Sequence, residues 1–190
     1  MKNLLLTVLL LLGILPQTAA QDIDDKYASN RLKAGTQAPN FTLRSLDGGK
    51  EERLSDHRGR FVLLEFWASW CPDCRAVTPK MKQIQEQYAQ KGLDIIGISY
   101  DTDSLAWRKY VTDNGLTWSQ LSELKKWKKG TITDSLYHIS WIPAYYLIDK
   151  QGKIIVGTVM IDKILAHLEQ LKGDLNRTHC LYKKPKTPQL

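Results

Sequence analysis

Cysteine is scarce in this chain: three of its 190 residues are cysteines. Three are too few for a small scaffold held together by several disulfides, and too few for a zinc site with four cysteine ligands. The composition also lacks any strong bias, since hydrophobic residues make up 43% and charged residues 25%. These fractions exclude wholesale disorder and a membrane protein with many spans. The length favours one compact domain.

The N-terminus lacks a hydrophobic run long enough to span a membrane. The apolar stretch from Leu4 to Leu15 has twelve residues, whereas a spanning helix needs about 20. Lys2 precedes this stretch, and the small residues Thr18-Ala19-Ala20 follow it. We therefore expect residues 1–20 to be a cleaved secretory signal, the alternative being an uncleaved N-terminal anchor. The mature protein would then be soluble in the periplasm or another exported, oxidising compartment.

Acidic residues are outnumbered, because 27 lysines and arginines face 20 aspartates and glutamates, a net charge of +7. The excess is local: residues 175–190 contain four basic residues and no acid, and four lysines flank Trp127 within residues 125–129. We predict a basic flexible tail at residues 174–190, and a solvated lysine loop that only weakly suggests an acidic partner. Nucleic acid is not an expected partner of an exported protein.

Hydrophobic periodicity predicts alternating strands and helices after a polar lead-in at residues 21–34. The predicted strands cover residues 41–43, 61–67, 93–99, 144–148 and 153–159, and the predicted helices cover 74–90, 104–110 and 161–171. Gly173 is expected to end the last helix. This order indicates an α/β fold whose sheet is mostly parallel, with an antiparallel edge.

Two cysteines lie in the sequence Trp70-Cys71-Pro72-Asp73-Cys74. Thiols at this spacing can close a disulfide if the first lies at the start of a helix and the second lies one turn in. The helix N-terminus favours an anion, and so favours the thiolate of Cys71, while Cys74 would attack any mixed disulfide formed there. Alone, such a pair is equally consistent with a metal site or a structural disulfide. Its position between a buried strand and a helix favours redox chemistry.

Several stretches together match a known pattern in their order and spacing. They are residues 35–43, residues 54–56 with Gly59, residues 66–74, Ile142-Pro143 and residues 147–149. Through them the sequence resembles the exported thiol-disulfide oxidoreductases of the TlpA/ResA type, which belong to the thioredoxin superfamily. The resemblance implies a thioredoxin-like domain at residues 35–173, with a central mixed sheet flanked by helices. It also implies an N-terminal extension and a central insertion near residues 100–137.

The resemblance also implies a site. Cys71 would be the nucleophile and Cys74 the resolving thiol, and Pro143 would be cis and lie beside them, with the preceding backbone free to pair with a substrate strand. The expected substrate-binding residues are Trp70, Pro72, Ile142 and Pro143. No cofactor and no metal are expected. The implied partners are protein thiols and disulfides and a membrane-bound thiol protein that donates electrons, in a process such as cytochrome maturation.

Glu65 lies six residues before Cys71, at a position where thioredoxins carry a buried acid. A carboxyl group between apolar neighbours on a strand is desolvated, so its pKa should rise and it could take the proton of Cys74. The alternative is an exposed glutamate at the end of a strand. We expect the buried form, because a single acid in an apolar run is costly without a function.

Four other residues are harder to interpret. Asp73 opposes thiolate formation at Cys71, which predicts a reductase or isomerase rather than an oxidase, unless Asp73 only points to water. Trp141 lies either in the substrate groove or in the core. Trp67 and Trp70 are expected to be packing residues, with Trp70 also shielding the dithiol.

Two other functions compete with disulfide exchange. A peroxiredoxin has a threonine three residues before its reactive cysteine, and Ala68 occupies that position here. A non-enzymatic chaperone for metal or haem maturation would use the dithiol as ligands, but only Cys71 and Cys74 are well placed.

Cys180 could link two chains into a dimer or engage the dithiol. We expect a monomer in which Cys180 is a tail cysteine without a role.

Overall fold

A seven-stranded sheet forms the centre of the fold. The computed structural model describes residues 22–46 and 49–181, with side chains up to residue 177. Two predicted features lie outside the described residues: the signal at residues 1–20 and the part of the tail at residues 182–190. The side chain of Cys180 lies outside them as well.

Strands and helices follow one another along the chain. The strands are β1 Thr42–Ser45, β2 Glu51–Arg53, β3 Phe61–Trp67, β4 Leu93–Ser99, β5 Ser119–Ser122, β6 Ala144–Ile148 and β7 Ile154–Thr158. The helices are α1 Ile23–Tyr27, α2 Pro72–Tyr88, α3 Ser104–Asp113, α4 Ile132–Tyr137, α5 Ile161–Gln170 and α6 Lys172–Leu181. Every strand and helix predicted from periodicity is present, with ends that differ by a few residues.

The sheet is mixed, but the prediction that it is mostly parallel is wrong, because β1, β2, β6 and β7 all join it through antiparallel pairings. Its strand order is β2-β1-β5-β4-β3-β6-β7, in which β3, β4 and β5 are parallel and the other neighbours are antiparallel. All seven residues of β3 are buried, because a central strand is covered on both faces. Helix α5 contacts β6, β7 and α2. The predicted α/β class is confirmed.

The parallel strands bring several loops to one edge of the sheet, by which we mean the side at the carboxyl ends of β3, β4 and β5. Cys71 follows β3, Asp101 follows β4, and residues 123–131 follow β5. Because β6 runs antiparallel to β3, the residues before β6, including Pro143, reach the same edge. We call it the dithiol edge.

The predicted polar lead-in is more structured than expected, because it contains α1. Asp24 in this helix is 1% exposed. Its carboxylate accepts hydrogen bonds from the Thr158 hydroxyl at 2.8 and 2.9 Å, the backbone N–H of Val159 at 2.8 Å and the ammonium group of Lys163 at 2.7 Å. These bonds fix α1 to the end of β7 and the start of α5.

The prediction of a flexible tail from residue 174 is wrong for residues 174–181, which form most of α6. Gly173 does not stop a helix; it lies inside α6. The physical reason is Leu175, which is 0% exposed and packs into the core. Burial of one leucine offsets the low helix propensity of glycine.

Among the described residues, no helix is long and apolar enough to cross a membrane.

Candidate active site

The two cysteines lie where β3 leads into α2. Cys71 is the N-cap residue of α2, and its sulfur accepts a hydrogen bond from the backbone N–H of Cys74 at 3.3 Å. The N–H groups and partial positive charge of the helix start therefore point at the sulfur of Cys71. Both thiols are free and buried, Cys71 at 5% and Cys74 at 1% exposure. The structure places the pair as the sequence predicts.

The loop before β6 brings a proline to the cysteine pair. The Ile142–Pro143 peptide bond is cis. The thiol of Cys71 donates to the carbonyl oxygen of Ile142 over 3.7 Å. Ile142 and Pro143 are both buried. The cis proline beside the dithiol agrees with what the resemblance implies.

Two tryptophans near Cys71 differ in their exposure. Trp67 is 2% exposed and packs in the core, whereas Trp70 is 53% exposed. The expectation that Trp70 is a packing residue is therefore wrong. Its indole lies at the surface directly before the nucleophilic cysteine, and Pro72 on the other side is exposed as well. Both residues are accessible to a substrate.

Trp141 lies at the surface rather than in the core. It is 36% exposed, and its ring contacts that of Tyr27 in α1, with centroids 4.4 Å apart. The hydroxyl of Ser140 donates to the backbone carbonyl of Tyr27. Helix α1 therefore supports the loop that carries the cis proline.

A buried aspartate that sequence reasoning missed positions the loop before Cys71. Asp101 is 2% exposed. It accepts hydrogen bonds from the backbone N–H of Ser69 at 2.9 Å, the hydroxyl of Ser69 at 2.6 Å and the hydroxyl of Ser99 at 2.6 Å. The end of β4 is thus tied to the loop that presents the nucleophile. The position of Asp101 two residues after β4 does not by itself predict these contacts, because they depend on the pairing of β4 with β3.

Glu65 lies within β3 and is 4% exposed, so the alternative of an exposed glutamate is excluded. Burial raises the pKa of its carboxyl to about 8. The Trp118 indole favours the ionised carboxyl and offsets part of this effect, although its N–H makes no hydrogen bond of regular geometry. The acid is therefore largely protonated at neutral pH and can exchange a proton near that pH.

Glu65 belongs to a row of neighbours across the sheet. Tyr145 pairs with Glu65, Glu65 with Gly97, and Gly97 with Gln120. The absence of a side chain at Gly97 makes room for Gln120, since a Cβ atom there would lie 2.6 Å from the Gln120 side-chain oxygen. The sequence did not indicate this row, because pairing between distant strands decides it.

Cys74 and Tyr145 are both held in their neutral forms. Burial is the main cause that raises the pKa of the Cys74 thiol far above its usual value, and the hydrogen bond with Cys71 adds to it. Burial also raises the pKa of Tyr145, with the charges of Glu65, Cys74 and Cys71 adding to it. Cys74 therefore needs a base before it can act as a nucleophile.

Asp73 is exposed at the start of α2, which is compatible with either interpretation of this residue. Within the part of the chain that the structure describes, no group of three or more histidine, cysteine or acidic side chains is arranged to hold a metal ion.

Comparisons with known proteins agree with this geometry. The model of the AhpC/TSA family matches residues 34–156. A thiol-disulfide oxidoreductase ResA from Geobacillus thermodenitrificans is 33% identical over 87% of this chain and 92% of its own. A second ResA, from Bacillus thuringiensis, is 30% identical over 93% of this chain and 97% of its own.

Solved structures show the same fold. A putative thiol:disulfide interchange protein DsbE from Chlorobium tepidum has a TM-score of 0.65 and 31% identity, and the match covers 76% of this chain and 99% of that one. Together with the ResA relatives, this match confirms the thioredoxin-like fold. The chain belongs to the AhpC/TSA family, and within the thioredoxin superfamily it is a ResA-like thiol-disulfide oxidoreductase.

Proposed function

We propose that the chain reduces or isomerises disulfides of exported proteins through Cys71 and Cys74. The observation that carries this proposal is the free sulfur of Cys71, which lies at the N-terminus of α2 and 3.7 Å from the carbonyl oxygen of Ile142. A substrate strand that pairs with the backbone before Pro143 would bring its disulfide against this sulfur.

The proposed reaction has two exchange steps. The Cys71 thiolate attacks one sulfur of the substrate disulfide, that S–S bond breaks, and the other substrate sulfur leaves as a thiolate that takes a proton. Cys74 then loses its proton and attacks the sulfur of Cys71 in the mixed disulfide. The substrate leaves with both sulfurs reduced, and its two electrons come from the pair, which ends as a Cys71–Cys74 disulfide.

Glu65 is the proposed base for the second step. It is buried, its pKa is about 8, and its charge acts on the Cys74 thiol, so its ionised form can accept the thiol proton when Cys74 attacks. The charge of Glu65 raises the pKa of both Cys74 and Tyr145, in addition to the effect of burial. Tyr145 stays neutral, so it does not compete as a base.

Trp70, Pro72, Ile142 and Pro143 are the proposed substrate-binding residues. Their positions support the role, because Trp70 and Pro72 flank Cys71 at the surface and the Ile142 carbonyl faces its sulfur. The exposed Trp141 extends the same surface and is supported by Tyr27.

The proposed setting is the periplasm or another exported compartment, reached through a signal at residues 1–20. There a membrane-bound thiol protein would reduce the Cys71–Cys74 disulfide, and cytochrome maturation is one process that needs such a reductant. The protein is proposed to act as a monomer, with a dimer linked through Cys180 as the alternative.

The first step of this function is tested by trapping. In Cys74→Ala, Cys71 can form the mixed disulfide but nothing resolves it, so substrates should remain attached and mass spectrometry would identify them. In the matched variant Cys71→Ala, no substrate should be trapped. Equal trapping by both variants would contradict the assignment of Cys71 as nucleophile.

A further inference from the structure

Four lysines project from the loop after β5. We call residues 125–129 the lysine loop. Lys125, Lys126, Lys128 and Lys129 are all exposed. Because β5 is parallel to β4, and β4 to β3, the loop lies at the dithiol edge of the sheet.

Direct contacts connect the lysine loop to the strand that leads to the dithiol. The ring of Trp127 stacks on Tyr100, with centroids 6.4 Å apart. The backbone N–H of Tyr100 donates to the carbonyl oxygen of Trp67 at 2.9 Å. Trp67 is the last residue of β3, and Cys71 follows it four residues later. The lysine loop and the nucleophile therefore lie at the same end of the sheet.

Hydrogen bonds to two acidic side chains hold the lysine loop and the residues that follow it. The carboxylate of Glu123 accepts hydrogen bonds from the backbone N–H groups of Ile132 at 3.0 Å and Thr133 at 3.2 Å. The backbone N–H of Lys128 donates to Asp134 at 2.8 Å. With Trp127 packed on Tyr100, these bonds fix the backbone while the lysine side chains extend into solvent.

The four exposed lysines give the loop its positive charge. Glu123 and Asp134 flank the loop, and both are engaged with backbone N–H groups. At the same end of the sheet, Asp101 is buried and bonded to Ser69 and Ser99, and Asp103 caps the start of α3. The Lys125 ammonium group lies 3.6 Å from Glu123, and that of Lys128 lies over the Trp127 ring at 4.3 Å. Asp73, exposed at the start of α2, is the acid nearest the dithiol in sequence.

We propose that the lysine loop is a docking surface for protein substrates that carry an acidic segment beside their disulfide. This inference rests on the reductase function proposed above and specifies its substrate class. Positive charge at the same end of the sheet as a reactive sulfur attracts a negatively charged partner during diffusion and orients it on arrival. The loop would therefore accelerate encounter, while the exchange chemistry remains that of the dithiol.

The test uses the reduced full-length mature chain and two peptides, each closed by one disulfide. The peptides are identical except that the residues flanking one cysteine are aspartates in the first and glutamines in the second. The measured quantity is the second-order rate constant for reduction of each peptide. Measurements at about 0.01 M and about 1 M salt vary the Debye length from ~30 to ~3 Å.

Two variants with equal loss of charge are compared. The loop variant changes Lys125, Lys126, Lys128 and Lys129 to glutamine. The control variant changes Lys50, Lys91, Lys150 and Lys153 to glutamine, since these lysines lie at the opposite edge of the sheet. Thermal unfolding of both variants verifies that they are folded.

At low salt the loop variant should reduce the acidic peptide about tenfold more slowly than the wild type, and the control variant within about twofold of it. The neutral peptide should react equally with all three proteins, and high salt should remove the differences. Equal loss in both variants, or no dependence on peptide charge, would overturn the docking surface while the reductase function stands. If the wild type reduces neither peptide, the reductase function fails and the docking inference fails with it.

Discussion

At the scale of single residues, Glu65 links the burial of one side chain to the pH dependence of catalysis. Its pKa is about 8 because of burial, whereas the pKa of Cys74 is raised much further, also by burial first. At a pH between the pKa of Glu65 and the pKa of Cys74, the carboxyl is ionised while the thiol is protonated. The carboxylate is then the base available to the thiol. The release of substrate from the mixed disulfide should therefore accelerate as the pH rises through about 8.

Glu65→Gln should slow the release of the mixed disulfide by roughly 10²–10⁴-fold, the usual contribution of a positioned acid or base, and should remove the inflection near pH 8. Stopped-flow measurement of the released thiol across pH 6 to 10 records both effects. Glu86→Gln, an exposed residue on α2, is the control and should behave as wild type. A Glu65→Gln rate equal to the wild-type rate would contradict the role of Glu65.

The position of Asp73 leads to a second prediction at this scale, for the reduction potential of the cysteine pair. A carboxylate in the first turn of α2 opposes the thiolate of Cys71, so the wild-type pair should be reducing, with a potential of about −200 to −270 mV. Asp73→His should stabilise the thiolate and raise the potential by roughly 30 mV or more. Equilibration with glutathione buffers measures both values. A wild-type potential near about −120 mV would contradict the reductase assignment.

At the scale of secondary-structure elements, α1 depends on one buried carboxylate. Asp24→Ala should lower the free energy of unfolding by about 3 kcal/mol, because it leaves Lys163 without its buried partner and the Thr158 hydroxyl and the Val159 N–H without their acceptor.

Chemical denaturation measures this effect, and Asp25→Ala is the matched control in the same helix. Asp25 is exposed and forms one ion pair with Arg31 at 3.3 Å, so its loss should cost less than about 1 kcal/mol. If the two variants were equally stable, the attachment of α1 through Asp24 would be wrong.

The strands that the sequence predicts are those with strong periodicity. β3, β4 and β6 are mostly apolar, and their predicted ranges match the structure residue by residue. β5, with the sequence Ser-Gln-Leu-Ser, has no such pattern, and its place between β1 and β4 depends on pairing with distant residues. The short α4 was missed for the same reason: its first turn is stabilised by Thr131 and Glu123 rather than by a hydrophobic stripe.

The residues of the site also divide into those that the sequence predicts and those that it does not. The dithiol, the cis proline and Glu65 could be predicted because each belongs to a local motif or a resemblance. Asp101 and Gln120 could not, because their contacts arise only when β4 and β5 lie beside β3. Trp70 was misassigned because hydrophobic character alone does not separate a packed indole from one exposed for binding.

At the scale of the whole molecule, stability depends on a charged cluster outside the site. Both ring nitrogens of His57 are engaged, one with Asp94 at 2.7 Å and the other with Glu52 at 3.0 Å. Arg60 also contacts Asp94 at 2.7 Å. Burial by itself lowers the pKa of His57, but the hydrogen bonds to Asp94 and Glu52 outweigh it and raise the pKa to about 9.

A histidine whose folded pKa is raised contributes stability that is fully present below its unfolded value of about 6.5 and is lost as the pH rises through about 9. The contribution of His57 is on the order of 3 kcal/mol. The free energy of unfolding, measured from pH 6 to 10, should fall over this window in the wild type and remain flatter in His57→Gln. His167→Gln in α5 is the control and should keep the wild-type slope. Parallel curves for all three proteins would contradict the prediction.

The central claim, that Cys71 exchanges disulfides from the start of α2, is tested most directly by one assay. Reduction of the insulin disulfides is followed with dithiothreitol as the electron source, in the presence of wild type, Cys71→Ser or no protein. The wild type should accelerate the reaction and Cys71→Ser should match dithiothreitol alone, because the remaining Cys74 is buried and protonated. A Cys71→Ser protein as active as wild type, or an inactive wild type, would contradict the account.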